Sequence, residues 1–126
     1  PLLKDQYEIT GWDLEDKNDI FGSDFEIMMK HADVVVHLAA LTNVPQSFEQ
    51  PSEYFRVNTL GTARILDLAI KFGKRVILPS TGAYYIPETS PYALSKKMAD
   101  DLAQEAMKHT SQSRLFQVNS HCSKHF

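Results

Sequence analysis

The spacing of hydrophobic and polar positions changes several times along this 126-residue chain, and each change marks a predicted element. Tyr7-Glu8-Ile9-Thr10-Gly11-Trp12-Asp13-Leu14 alternates with a period of two, which predicts a strand ending at an acid, followed by a polar stretch through Asn18. Asp24 to His31 sets Phe25, Met28 and Met29 on one side of a short helix, where methionines fill a core more often than they hold a cofactor. Residues 33–40 form a continuous run centred on Val34-Val35-Val36, the pattern of a central parallel strand covered on both faces. A loop from Leu41 to Gln50 should lead into a helix entered near Pro51. Its inward face is Tyr54, Val57, Gly61, Ile65, Leu68 and Phe72, and Gly73 stops it. A glycine inside a helix costs about 1 kcal/mol relative to alanine, so Gly61 implies close packing. Lys74 to Ser80 reads as a short buried strand ending in Ser80, Thr81 and a turn at Gly82, and Arg114 to Asn119 as a further strand.

Between these last two strands lies Ser90-Pro91-Tyr92-Ala93-Leu94-Ser95-Lys96. Ser90 suits the N-cap and Pro91 the first helical position, whose N–H would have no partner. Residues four apart share a helical face, so Tyr92 and Lys96 can point toward one bound molecule, with Leu94, Met98 and Leu102 expected to turn toward the core. A free tyrosine, with a pKa of about 10, is a poor base near neutrality. A neighbouring ammonium favours the phenolate and so brings the group nearer the range for exchanging a proton with an alcohol or carbonyl. Lysine can also hold a ribose hydroxyl. Taken alone, a Tyr-x-x-x-Lys pair is more often a surface cap beside a solvated lysine, so its meaning depends on the motifs around it.

Composition narrows the field. With 43% hydrophobic residues, the chain supports one domain with a real core. A net charge of -3, without a basic stripe, points away from nucleic acid and anionic membrane surfaces. The longest apolar run, near Val34 to Leu41, is far short of a membrane span, and no signal peptide is visible. The single cysteine, Cys122, excludes an internal disulfide and fits a reducing compartment, so cytoplasm is the expected location. His121, Cys122 and His125 are three possible metal ligands. Without a second cysteine pair or a partner acid they are read as coincidental, and no metal is expected.

Four motifs stand in a fixed order: Asp33-Val34-Val35-Val36-His37-Leu38-Ala39-Ala40, Asn58-Thr59-Leu60-Gly61-Thr62, the strand ending Pro79-Ser80-Thr81-Gly82-Ala83-Tyr84-Tyr85, and Tyr92-x-x-x-Lys96. Together they resemble the extended short-chain dehydrogenase/reductase family, specifically the NAD-dependent epimerase/dehydratases that act on nucleotide sugars. The resemblance runs over nearly the whole chain. It implies an α/β fold, a Rossmann-like doubly wound parallel sheet, present here in part. It also implies a cofactor set of Asp13, Leu14, Asp19, Ile20, Leu38, Ala39, Ala40, Asn58, Tyr92 and Lys96. Within that set Asp13 would accept from the adenosine ribose hydroxyls, which favours NAD over NADP, while Lys17 keeps the alternative open. Asp19 and Ile20 match a pair that contacts adenine, and Asn58 one that reaches active-site backbone or cofactor. The implied catalytic set is Thr81, Tyr92 and Lys96. Taking Tyr85-Ile86 as the family's Tyr-Gly marker selects Thr81 as the hydroxyl residue, whereas Tyr84 as the marker selects Ser80. His37, which closes an apolar strand, is expected to be a packed residue with a local hydrogen bond rather than an acid, base or ligand.

The sequence departs from the family in three ways. None of its five glycines supplies the Gly-x-x-Gly-x-x-Gly turn that follows the family's first strand. Only ten residues, 82–91, separate Thr81 from Tyr92, a shortened substrate-facing loop. The C-terminal substrate region has no counterpart. Residues 1–126 are therefore expected to be a single, incomplete NAD-binding domain. Two functions follow: an NAD-dependent epimerase/dehydratase acting on a nucleotide sugar by transient hydride transfer, or a non-catalytic fragment or interaction module of the same fold that no longer binds the dinucleotide. The missing glycine turn predicts weak or no cofactor binding by the isolated chain. The resemblance further implies a possible homodimer through the helices Pro51 to Phe72 and Pro91 to His109.

Overall fold

A computed structural model of the chain describes residues 5–13, 19–80, 89–109 and 116–119. Three parallel strands, β1 (Val34–Val36), β2 (Arg75–Pro79) and β3 (Phe116–Asn119), lie side by side in the order β1-β2-β3. The register pairs Val35 with Val76, and Val76 in turn with Phe116. Parallel neighbours need crossover connections, and helices supply them. Between β1 and β2 run α2 (Val44–Glu49), α3 (Pro51–Tyr54), a π-helical stretch (Phe55–Leu60) and α4 (Gly61–Phe72), while α5 (Pro91–His109) joins β2 to β3 and α1 (Ser23–His31) precedes β1. This is the α/β, doubly wound pattern expected.

The core lies between the sheet and these helices: Phe25 and Met29 of α1, Ile65, Leu66, Leu68 and Ala69 of α4, Val76 and Leu78 of β2, and Ala103 of α5. Local signals set the element ends as anticipated. Gly73 closes α4 in the left-handed conformation, φ 64° and ψ 40°, and its N–H reaches back to Ile70 O. Ser90 caps α5, with its Oγ 3.1 Å from the Ala93 N–H. On α1, Glu26 reaches across to Arg64 and Lys71 of α4, and the hydrogen bond from Lys71 leads in holding its carboxyl below the ordinary range.

Four expectations need correcting. Residues 7–13 are not a strand. Their alternation supplies a face, but a strand also needs a backbone partner, and no described strand runs beside them. Residues 33–40 contribute only three strand residues, and Val34 and Val36 are exposed, because β1 is an edge of the described sheet and no described element covers that face. The segment 41–50 is not all loop: Asn43 caps α2 by accepting from Gln46 N–H at 3.0 Å, and Pro45 sits in its first turn. Finally, Leu94, Met98 and Leu102 face outward, at 45%, 43% and 41% exposure. The buried side of α5 consists of Ala93, Ser95, Ala99, Asp100 and Ala103, small or polar residues that allow a close approach to the π-helical stretch and α4.

Gly61 packs as its position in a helix interior implied. A Cβ there would lie 2.8 Å from Ile20 Cδ1, the movable end of a side chain. In Gly61→Ala, about 1 kcal/mol of helix propensity is therefore expected to be largely cancelled by displacement of Ile20. In an Ile20→Val background, which lacks that methyl, the same substitution should stabilise by about 1 kcal/mol. Urea titrations of the four proteins read the difference, and equal effects in both backgrounds would show that the contact does not govern the position.

Candidate functional site

Parallel strands end on the same side, so β1 and β2 deliver their following residues to one edge of the sheet. At the end of β1, His37 N–H donates to Ile77 O at 3.0 Å and extends the ladder by one residue. The His37 ring is buried, with Nε2 3.2 Å from Thr62 Oγ1. The Thr62 hydroxyl spends its only hydrogen on Asn58 O, at 2.8 Å, so the His37 Nε2–H is the donor between the two rings of contacts. Burial, with a smaller contribution from the Lys96 charge, pushes the His37 pKa down to about 4. The ring is neutral and packed, as expected from its place after an apolar strand.

Beyond His37 the chain passes Leu38 and Ala39, both exposed, and Ala40, which is half-buried. It is then fastened at Leu41. Asn58 accepts from the Leu41 N–H at 2.8 Å and donates to the Leu41 carbonyl at 3.0 Å, so one amide satisfies both backbone groups. The same Nδ2 donates to Ser95 Oγ at 3.0 Å, and the neighbouring Thr59 hydroxyl donates to Ser95 O at 2.9 Å. Two adjacent helical residues can both face inward here because the π turn of Phe55–Leu60 widens the helix at that point.

From α5, Tyr92 and Lys96 are half-buried, one turn apart. Lys96 Nζ donates to Pro79 O at 3.3 Å, at the end of β2. Burial lowers the Lys96 pKa, and the nearby charge of Asp100 works against that shift. Asp100 is itself buried and accepts a hydrogen bond from the Ser80 hydroxyl. Ala40, Asn58, Tyr92, Lys96 and Ser80 thus belong to one connected locus.

Comparison with known proteins bears on what this locus is. Residues 2–126 match the family described as "NAD dependent epimerase/dehydratase family". The chain belongs to that family. It is similar to a dTDP-glucose 4,6-dehydratase of Streptomyces antibioticus, at 38% identity over 60% of this chain and 27% of the relative. It is likewise similar to a putative UDP-glucose 4-epimerase of Methanocaldococcus jannaschii, at 34% identity over 75% of this chain and 34% of the relative. Among solved structures, a double mutant of DesIV, a dTDP-glucose 4,6-dehydratase from Streptomyces venezuelae with NAD and DAU bound, aligns with a TM-score of 0.70 and 26% identity. That alignment covers 80% of this chain and 35% of DesIV. The chain therefore spans about a third or less of the length of these relatives.

In this epimerase/dehydratase-family chain the remaining residues of the expected set lie elsewhere. Asp13 is exposed after residues 7–12. Asp19 forms a turn, its Oδ1 accepting from Phe21 N–H at 3.0 Å, and Ile20 packs against Gly61, so that pair forms a second locus at the entrance of α1. Leu14 and Thr81 fall outside the described residues, as do Lys17, Tyr84, Tyr85, His121, Cys122 and His125. Among the described residues no group of histidines, cysteines and carboxylates could hold a metal ion. Sequence reading missed Ser95, Thr59 and Asp100. Asp100 carried a usable signal, the continuation of Tyr92 and Lys96 by a further four residues on the same face.

His37 gives the family locus a pH dependence. Its folded pKa, about 4, lies below the ordinary 6.5, so between those values the folded state binds fewer protons and stability falls as pH falls. From pH 7 to pH 5 the loss through this one ring is about 2 kcal/mol. His37→Gln keeps a donor for Thr62 and cannot titrate. Its urea midpoint is expected to drop less between those pH values, with most of that 2 kcal/mol absent, whereas an unchanged acid slope would place the titration elsewhere.

Proposed function

We propose that this chain carries the catalytic middle of an NAD-dependent epimerase/dehydratase that acts on a nucleotide sugar. The observation that supports it most is that the half-buried Lys96 reaches the Pro79 carbonyl at the end of β2, while Asn58 holds the Leu41 backbone that follows β1 and bonds Ser95 of the same helix. The donor set fits the ribose of a dinucleotide: an ammonium and a phenol one turn apart on α5, with the exposed Leu38 and Ala39 following β1. The acid at Asp13 fits the other ribose and favours NAD over NADP. NAD, when bound, would supply a transient acceptor for the hydride from the sugar carbon that bears the reacting hydroxyl.

The chain's own residues do the rest. Tyr92 removes or returns the hydroxyl proton, and Lys96 stabilises its deprotonated form and holds the ribose. Thr81 orients the reacting oxygen. The Ser80 hydroxyl already donates to Asp100, which supports Thr81 rather than Ser80 for that task. Asn58 keeps the Ala40–Leu41 backbone in place against the cofactor.

Titrating the chain with NADH, and following nicotinamide fluorescence and Trp12 quenching, tests this reading. Weak but saturable binding is expected, at least about tenfold weaker in Tyr92→Phe/Lys96→Ala, since a hydrogen bond to a charged group contributes roughly 1.5–3 kcal/mol. Equal binding by the double variant overturns it and favours a non-catalytic module, whereas no binding by either protein means that this chain, lacking the glycine turn, does not hold the dinucleotide by itself. The same reading includes a homodimer through the helical run Pro51 to Phe72 and α5, supported by the outward Leu94, Met98 and Leu102 of α5 and the exposed Leu60 of that run. Sedimentation should show a dimer that Leu94→Glu/Leu102→Glu dissociates. A monomer at every concentration rules it out.

A further inference from the structure

The contact between α5 and the end of β2 is double. Lys96 and Asp100, one turn apart on the helix and opposite in charge, engage two successive residues of the strand end: Lys96 Nζ donates to Pro79 O, and Asp100 accepts from the Ser80 hydroxyl. The next pair along, Lys97 and Asp101, has the same spacing and bonds at 2.7 Å, yet both members are exposed. Asp100 differs in being 5% exposed, on a helix face otherwise made of alanine and serine. A carboxylate is not buried there for packing, since an alanine or leucine would avoid its desolvation.

We propose that Asp100 is a positioning residue for the Lys96 locus: its carboxylate keeps Lys96 charged in a half-buried setting and, through Ser80, fixes the end of β2 that Lys96 touches. This deepens the proposed function and rests on Lys96 acting there as a cation. The groups placed near the Lys96 ammonium are His37 at the end of β1, Asp100 on α5 and the Pro79 carbonyl on β2, with Tyr92 one turn earlier on α5. His37 is neutral, as argued above, so it offers no counter-charge. Tyr92 helps only as phenolate, which is the state Lys96 is meant to stabilise. Asp100 is the anion among these groups, and its charge opposes the loss of the Lys96 proton that burial promotes. Its second bond ties this electrostatic duty to geometry. A shift of Asp100 moves Ser80, and with it the approach of the β2 end to Lys96.

The test needs neither cofactor nor sugar, so a negative NADH titration leaves it standing. In the full chain, competitive acylation of lysines with a labelled anhydride is followed by mass spectrometry from pH 7 to 11, with Lys108 as internal reference. In Asp100→Asn the Lys96 profile should move to lower pH, raising its relative labelling at pH 8 several-fold, and Asp100→Glu should restore most of the original profile. A higher plateau with an unmoved midpoint would mean the helix had merely loosened, and overturns the proposal, as does an unchanged profile. If Asp100→Asn does not fold, adding Lys96→Met should recover the fold, because the single variant leaves a buried cation without its counter-charge. Failure of the double variant to recover would also overturn it.

Discussion

The close seating of α5 is the constraint on which the rest of the structure depends. Its inner face carries Ala93, Ser95, Ala99, Asp100 and Ala103, and its large apolar residues point away. Small residues let the helix axis approach the strand end and the π turn. Only at that distance can Lys96 reach the Pro79 carbonyl, Asp100 the Ser80 hydroxyl and Asn58 the Ser95 hydroxyl. A leucine-rich inner face would bury more apolar area but hold the helix too far out for these bonds to form. The helix therefore gives up part of its own hydrophobic stabilisation to organise a polar locus.

That locus is stable because its buried polar groups answer one another. Asn58 uses its oxygen and its nitrogen on the Leu41 backbone and its nitrogen again on Ser95. Thr62 bonds Asn58 O and receives His37, and Thr59 covers the Ser95 carbonyl. Each of these groups would cost about 1–3 kcal/mol if left unpaired. The surroundings also shift the charges: burial holds the His37 ring neutral and lowers the Lys96 pKa, and the Asp100 charge opposes the second shift.

Away from this locus the fold is plainer. The sheet's β1 edge shows Val34 and Val36 to solvent, while Phe25, Met29, Ile65 and Leu68 close the core on the helical side. The family match extends over residues 2–126, and the matched part makes up about a third of the relatives' own length.

Much of this was legible in the sequence. The Tyr92-x-x-x-Lys96 spacing, the Ser90 cap, the Gly73 stop and the place of Asn58 one turn before a tight glycine are local facts, set by helical period and backbone sterics, and they held. Family membership followed from the order of such motifs. What only the tertiary structure decided was which faces those elements bury. Leu94, Met98 and Leu102 looked like core because they are apolar, but burial depends on what a neighbouring element covers, and α5 turns its alanines inward instead. Residues 7–13 alternate like a strand yet lack a backbone partner, and the triplet Val34–Val36 lacks a second covering layer. Asp100 was one more acid in a charged stretch until the end of β2 was brought against it. Period and capping are written in neighbouring residues, whereas partnership across the fold is not.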